Sequence, residues 1–267
     1  GIDGLDNYKF LESQIDEVEK IYFAGGEPLL MPEHWYILEM LTKAERFDVR
    51  ICYNTNTSKL TYKGKSVLDY WRKWQTGKIE VWSSLDEIDE RGELIRSGTD
   101  WPKVEENLKE MVKLDNIVIR PGITTGAWNV YRIPEIVERL LELGVVKTDP
   151  MLGVKHNNFF LNYLDAPEKY NVRILPDWFK KKTIEKLENF IAEYDAKYDT
   201  SIRYRLEHVL HELTKPFDLE FARKFVHDTA VIDKLRGEDM YDTIPEMIYV
   251  KEEVEKHDKD KIDIKEI

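Results

Sequence analysis

Short β-forming runs alternate with amphipathic helical stretches through the first 165 residues, and this alternation restricts the fold more than any other property of the chain. The runs are Lys20–Ala24, Asp48–Tyr53, Ile79–Ser83, Asn116–Ile123 and Asn158–Leu164. Between them apolar residues recur near the helical period. Trp35, Leu38 and Leu41 form one stripe, and Val67, Tyr70, Trp71 and Trp74 a second. Val104, Leu108, Met111 and Val112 form a third, opened by Asp100 or Trp101 before Pro102. The fourth, Pro134 to Leu143, has proline in its opening turn and Gly144 just past its end. Strands return about every 30 to 40 residues, the length of a βα unit, and crossovers of that size imply parallel strands with right-handed connections. Five units are too few for an eight-stranded barrel. They suit an open barrel or a doubly wound sheet.

Beyond Pro176 the pattern becomes helical. Ile184, Leu187, Phe190, Ile191 and Tyr194 share one face of a long helix. A second helix is expected about Arg203–Thr214 and a third from Leu219 through Asp239. No linker separates this part, so helices packed on the preceding sheet are expected rather than an independent domain. The tail from Lys251 to Ile267 alternates lysine with acidic residues and reads as a solvated or frayed helix with no partner.

Composition narrows the function. Hydrophobic residues make up 42% of the 267, yet no apolar run approaches the roughly 20 residues a membrane span needs. The formal charge of −12 disfavours nucleic acid as a partner. The lone cysteine, Cys52, excludes an intrachain disulfide and fits a reducing, cytoplasmic setting. It also excludes a cluster or zinc site built from several thiolates of this chain. The start, Gly1-Ile2-Asp3-Gly4, carries no secretory signal and no initiating methionine, and reads as a fragment or a processed chain.

Chemistry concentrates at the strand ends, where parallel α/β folds collect ligands. The first strand ends in Gly25-Gly26-Glu27-Pro28. Two glycines let backbone approach a ligand closely, Glu27 supplies an acceptor for a cationic group such as an amino-acid ammonium, and Pro28 stiffens the turn. The second strand ends in Asn54-Thr55-Asn56, and the third in Ser83-Ser84-Leu85-Asp86 with Arg96 ten residues on. The fourth leads into Thr124-Thr125-Gly126 and Asn129; the fifth carries Asn158, Asn162 and Tyr163. Together they suggest one pocket lined by amides, hydroxyls and two carboxylates. Other features carry less. His208 and His211 stand three apart in a pattern that is not a zinc-protease helix, and a solvated or half-buried pair is the simpler reading. There is no Walker loop, GxGxxG or GxSxG.

The order strand–GGEP–helix, then strand ends carrying NTN and SSLD and an asparagine-bearing loop, resembles the radical S-adenosylmethionine (SAM) superfamily. More narrowly it is similar to phage-associated and environmental twitch-domain-containing radical SAM proteins. The similar stretches are Tyr22–Leu30, Tyr53–Asn56, Ser83–Asp86 with Leu94–Ser97, Asn129-Val130, Leu161–Pro167 through Leu175-Pro176, Leu235–Gly237 and Ile244–Glu246. The resemblance implies an α/β fold, a partial (β/α)6 TIM-like barrel of parallel strands over residues 1–176, with a C-terminal helical extension over 177–267. It implies SAM as a small-molecule cofactor and a [4Fe–4S] cluster whose electron releases a 5′-deoxyadenosyl radical. By position, Gly25, Gly26 and Glu27, with Pro28, would hold the methionine amino group. Asn54 or Asn56, Ser84 and Asp86 would face ribose or carboxylate, and Arg96 would pair the carboxylate. Thr124 and Asn129 would sit near the sugar, and Asn162, Tyr163 and Leu164 beside adenine. The family's CxxxCxxC loop lies upstream of GGEP, but residues 1–24 contain no cysteine. The cluster is therefore expected only in a full-length parent, with this chain its carboxyl-terminal part. The alternatives are a cluster-less SAM- or nucleotide-binding barrel or scaffold, and a barrel hydrolase or lyase using Glu27 and Asp86 as acid and base. The substrate is not indicated.

Overall fold

The structure, a computed structural model, describes residues 10–149, 153 and 155–263, with side chains through 259. The Gly1–Gly4 start and the last four residues of the charged tail lie outside them. The chain runs β1 (Lys20–Phe23), α1 (Pro32–Lys43), β2 (Arg50–Thr55), a hairpin of β3 (Thr61–Tyr62) and β4 (Lys65–Ser66), and α2 (Val67–Trp71). It continues through β5 (Ile79–Ser84), α3 (Asp89–Ile95), α4 (Trp101–Met111), β6 (Ile117–Thr125), α5 (Ile133–Glu142) and β7 (Phe160–Tyr163). Helices follow: α6 (Asp177–Tyr198), α7 (Arg203–Leu213), α8 (Leu219–Arg236), α9 (Met240–Thr243) and α10 (Ile248–Asp263). None of the described helices is long and apolar enough to cross a membrane.

The main sheet is wholly parallel, in the order β1-β2-β5-β6-β7. Each crossover therefore steps the same way. Right-handed connections that never reverse direction put their helices on one face, whereas a doubly wound sheet reverses and covers both. This is a singly wound sheet. Among the described residues it has five strands, in keeping with a partial barrel, and β1 and β7 are its edges.

Strand alternation then separates two unlike faces. Ile51, Tyr53, Ile79, Val81, Ile119 and Ile123 face the helices and are buried. They join one core with Trp35, Leu38 and Leu41 of α1, Trp71 of α2, Val104, Leu108 and Met111 of α4, and Ile136, Val137 and Leu140 of α5. Each fully buried side chain of this kind contributes about 1.5–3 kcal/mol. The opposite face carries Lys20, Tyr22, Arg50, Cys52, Asn54, Glu80, Trp82, Ser84, Arg120, Thr124, Phe160 and Asn162, set side by side by the strand register. That face is polar, and it is open at the β1–β2 end.

Several expected elements change in detail. Asp100 is the cap of α4, its Oδ1 accepting from Lys103 N at 3.1 Å. The β3–β4 hairpin was not expected; its turn, Lys63-Gly64, has φ of 47° and 81°, the positive pair that a two-residue hairpin requires. The second helix has five residues, Val67–Trp71, and leaves Trp74 outside it. The third helix of the tail ends at Arg236 rather than Asp239, because Gly237 adopts φ 68° and closes it. Ahead of the charged tail, Val250 of α10 is buried and Tyr249 packs its ring on Trp178 and Phe179 of α6; within the tail Val254 is buried and Asp258 accepts from Arg223 Nε of α8 at 3.1 Å. Two valines four apart supply the apolar stripe that the lysine–acid alternation obscures.

Candidate functional site

The turn after β1 is built around the Glu27 carboxylate. Its Oε1 accepts from the Thr55 hydroxyl at 2.7 Å and from Leu29 N at 3.3 Å, and its Oε2 accepts from Asn56 N at 2.9 Å. These bonds tie the end of β1 to the end of β2 and cap the short turn Pro28–Leu30. A carboxylate offers about four acceptor positions, so the three bonds leave one, on Oε2. Gly25 and Gly26 beside it are exposed. Gly25 needs its lack of a Cβ because φ is 104°. Gly26 does not: its φ is ordinary and a Cβ there would meet nothing within 4 Å. Among the described residues no packing accounts for the second glycine.

Beyond β2 the backbone is strained. Thr57 is fully buried with φ 56°, a region that β-branched residues rarely adopt. It is held by Thr57 N donating to Thr55 Oγ1 at 3.0 Å and by Asn107 Nδ2 donating to Thr57 O at 2.8 Å. The result fixes Asn56, whose Oδ1 accepts from Ser58 N.

A second network joins the ends of β5 and β6. Asp86 Oδ1 accepts from Thr124 N at 2.7 Å and Oδ2 from Arg96 Nε at 2.8 Å. The buried Asn129 donates to Asp86 O and Thr124 O and accepts from Gly126 N. Asp86, Arg96, Thr124 and Asn129 thus meet, and both Asp86 carboxylate oxygens and the Asn129 amide are engaged within the group. The crevice among Asn56, Ser84, Asp86 and Arg96 holds only about 10 Å³, room for about one water.

Ligand-sized space lies elsewhere. A groove of about 440 Å³ runs over the open face, lined by Lys20, Tyr22, Arg50, Cys52, Asn54, Glu80 and Trp82. A cavity of about 430 Å³ lies between β7 and α7 and includes Thr125, Asn162, Tyr163, Arg205 and His208. Asn54 therefore borders the first space, and Asn162 and Tyr163 the second. Tyr163 faces the helix side, its ring 4.7 Å from that of His208, and burial pushes its hydroxyl well above the usual range. His208 thus packs on an aromatic ring. Leu164 donates its N–H to Thr125 O, a backbone tie at the strand end.

The open face also holds a ladder of charges absent from the sequence-based expectations. Arg50 Nη2 donates to Glu80 Oε2 at 2.6 Å, and Arg120 Nε to Glu80 Oε1 at 2.5 Å. Arg120 is also paired with the buried Asp149. Burial pushes Glu80 up, but the bonds from Arg50 and Arg120 outweigh it and hold the carboxyl below its ordinary value. The signal was available: strands buried on both faces read as continuous apolar runs, while Arg50, Glu80 and Arg120 interrupt theirs at alternate positions.

Cys52 does not fit a [4Fe–4S] cluster. It is the sole cysteine, it is buried with Sγ 3.7 Å from Glu80 Oε2, and burial followed by that carboxylate raises its thiol. A cluster of that kind takes several thiolates. Among the described residues no group of three or more His, Cys, Asp or Glu could hold a metal ion.

No protein-family model matches the chain, and no curated protein matches it. A similar solved structure is Streptococcus suis SuiB bound to S-adenosylmethionine, with 18% sequence identity and a TM-score of 0.46. The match covers 72% of this chain and 39% of that one, so the chain spans about two-fifths of its length. A likeness of that size leaves the chemistry to be argued from the residues themselves.

Proposed function

We propose that the chain binds SAM at the carboxyl ends of β1 and β2, as the carboxyl-terminal portion of a radical SAM-type partial barrel whose iron–sulfur ligands come from outside this sequence. One observation carries the reading. The Glu27 carboxylate is pinned by three donors with one acceptor position left over, beside a glycine that the fold itself does not require. A pinned anion next to exposed glycine backbone suits an ammonium, which has three protons to place. The strained Thr57 supports a ligand in the same region. The residues here supply binding and orientation; no step through a cluster follows from them. Cys52, alone and protonated beside Glu80, favours a second reading in which SAM is bound without radical chemistry. Cysteines in a CxxxCxxC segment upstream in the coding sequence would decide for the first.

The test is calorimetry with SAM on the wild type and on Gly26→Val. The variant is expected to fold with a melting temperature close to that of the wild type, since a Cβ at this position meets nothing within 4 Å. Its affinity is expected to fall tenfold or more. Absence of SAM binding by the wild type, or equal binding by the variant, would refute the proposal.

A further inference from the structure

The groove on the open face is cationic in a chain whose formal charge is −12. Five charged residues belong to it or to the ladder beneath it: Lys20, Arg50 and Arg120 against Glu80 and Asp149. The two anions are buried under the surface and engaged by the arginines. What reaches solvent is positive: Lys20 is exposed, and the Arg50 side chain is 39% exposed. Arg50 gives Nη2 to Glu80, while its Nε is buried with no hydrogen-bond partner among the described residues. A buried guanidinium N–H without an acceptor costs stability unless something supplies one.

The walls are aromatic. Tyr22 is 56% exposed on this face, which is unusual for a large ring within a strand, and Trp82 lines the same groove. Trp82 is fixed from behind, its Nε1 donating to Glu80 Oε1 at 3.1 Å and its ring packed on Phe160 at 4.5 Å. A fixed ring, an exposed ring and two cations in about 440 Å³ match a small molecule with a planar body and a terminal anion.

We propose that this groove binds the oxyanion of a small planar molecule, a carboxylate or phosphate, through Arg50 and Lys20, with Tyr22 and Trp82 flanking its unsaturated body. Arg50 lies six residues before Asn56, about 20 Å along the strand at roughly 3.3 Å per residue. The anion-binding end of the groove is therefore distant from the Glu27 turn, although Asn54 at its other end stands two residues before Asn56, and the inference does not rest on SAM being the ligand there.

Three probes test it by calorimetry: indole-3-acetate, phenyl phosphate, and the neutral indole-3-acetamide. At least one anion is expected to bind at least tenfold tighter than the amide, and the ratio of the two anions separates a carboxylate from a phosphate site. Lys20→Gln, which touches no buried pair, is expected to weaken anion binding about tenfold with an unchanged melting temperature. Arg50→Gln removes more but also disturbs Glu80, so its result is read beside its own unfolding curve. SAM affinity is expected to be the same in Lys20→Gln as in the wild type. Equal binding of acid and amide, anion binding indifferent to Lys20 and Arg50, or no anion binding at all would overturn the proposal. Failure of SAM to bind while an anion binds through Arg50 would sink only the reading of the Glu27 turn.

Discussion

Replacing Glu80 with glutamine removes the shared anion of the open-face ladder. In the wild type Oε1 receives Arg120 Nε at 2.5 Å and Trp82 Nε1 at 3.1 Å, and Oε2 receives Arg50 Nη2 at 2.6 Å. Glutamine keeps one acceptor, loses the charge and turns an NH2 toward a guanidinium. Orphaning a buried charge costs about 3–5 kcal/mol, but Arg120 keeps Asp149, so that full penalty does not apply. Loss of one buried charge-assisted bond, about 2–3 kcal/mol, is the better measure. The Arg50 half adds less than about 1 kcal/mol, because that side chain is partly exposed. Together these give about 3 kcal/mol, or a melting temperature lower by roughly 6–12 °C for a chain of this length. The carboxyl's folded value lies below its unfolded value, so its stabilisation is present above the unfolded value and is lost as pH falls through the folded one. The gap between variant and wild type should therefore close in acid. Urea unfolding followed by circular dichroism and tryptophan fluorescence measures it. A loss under about 1 kcal/mol at neutral pH would refute the reasoning, since it would mean that the arginines satisfy themselves with water.

Two further perturbations follow from buried groups. Burial raises Glu87 to about 7, outweighing the Ile88 N–H and the charges of Arg132 and Arg91. A folded value above the unfolded 4.5 makes the wild type lose stability as pH rises between about 4.5 and 7, by roughly 3 kcal/mol in all. Glu87→Gln should therefore match the wild type near pH 4 and exceed it at pH 8 in a series of thermal melts; parallel curves would contradict this. Gly126→Ala should lower the melting temperature, because its Cβ would lie 2.7 Å from Tyr170 O, whereas Gly122→Ala, 3.7 Å from Ser83 O, should be tolerated. Equal melts for the two alanine variants would be the contrary result.

The strands were legible because Tyr53, Val81 and Ile119 sit in β-rich runs bounded by turns, and the helices because Leu38, Leu108 and Leu140 recur at helical spacing. Strand order was not, since periodicity cannot say whether a crossover steps forward or back. The short helix α3 was missed because Asp89–Ile95 buries only Gly92 and Leu94, too few positions for a stripe. At the site, strand-end position grouped Asp86, Arg96, Thr124 and Asn129 correctly as neighbours. It could not say that their charges and amides would be directed at one another, leaving about 10 Å³ between them. The open-face ladder is not legible at strand ends because its residues lie within the strands. Arg50, Glu80 and Arg120 acquire meaning only when register brings them to one face.

The central claim is that the Glu27 turn receives the ammonium of an adenosylated amino acid. Backbone amide shifts recorded while SAM is titrated into isotope-labelled protein test it most directly. Shifts centred on Gly25, Gly26 and Asn56, and absent with an analogue lacking the amino group, are the expected result. Shifts that avoid this turn, or that appear equally with the analogue, would contradict it.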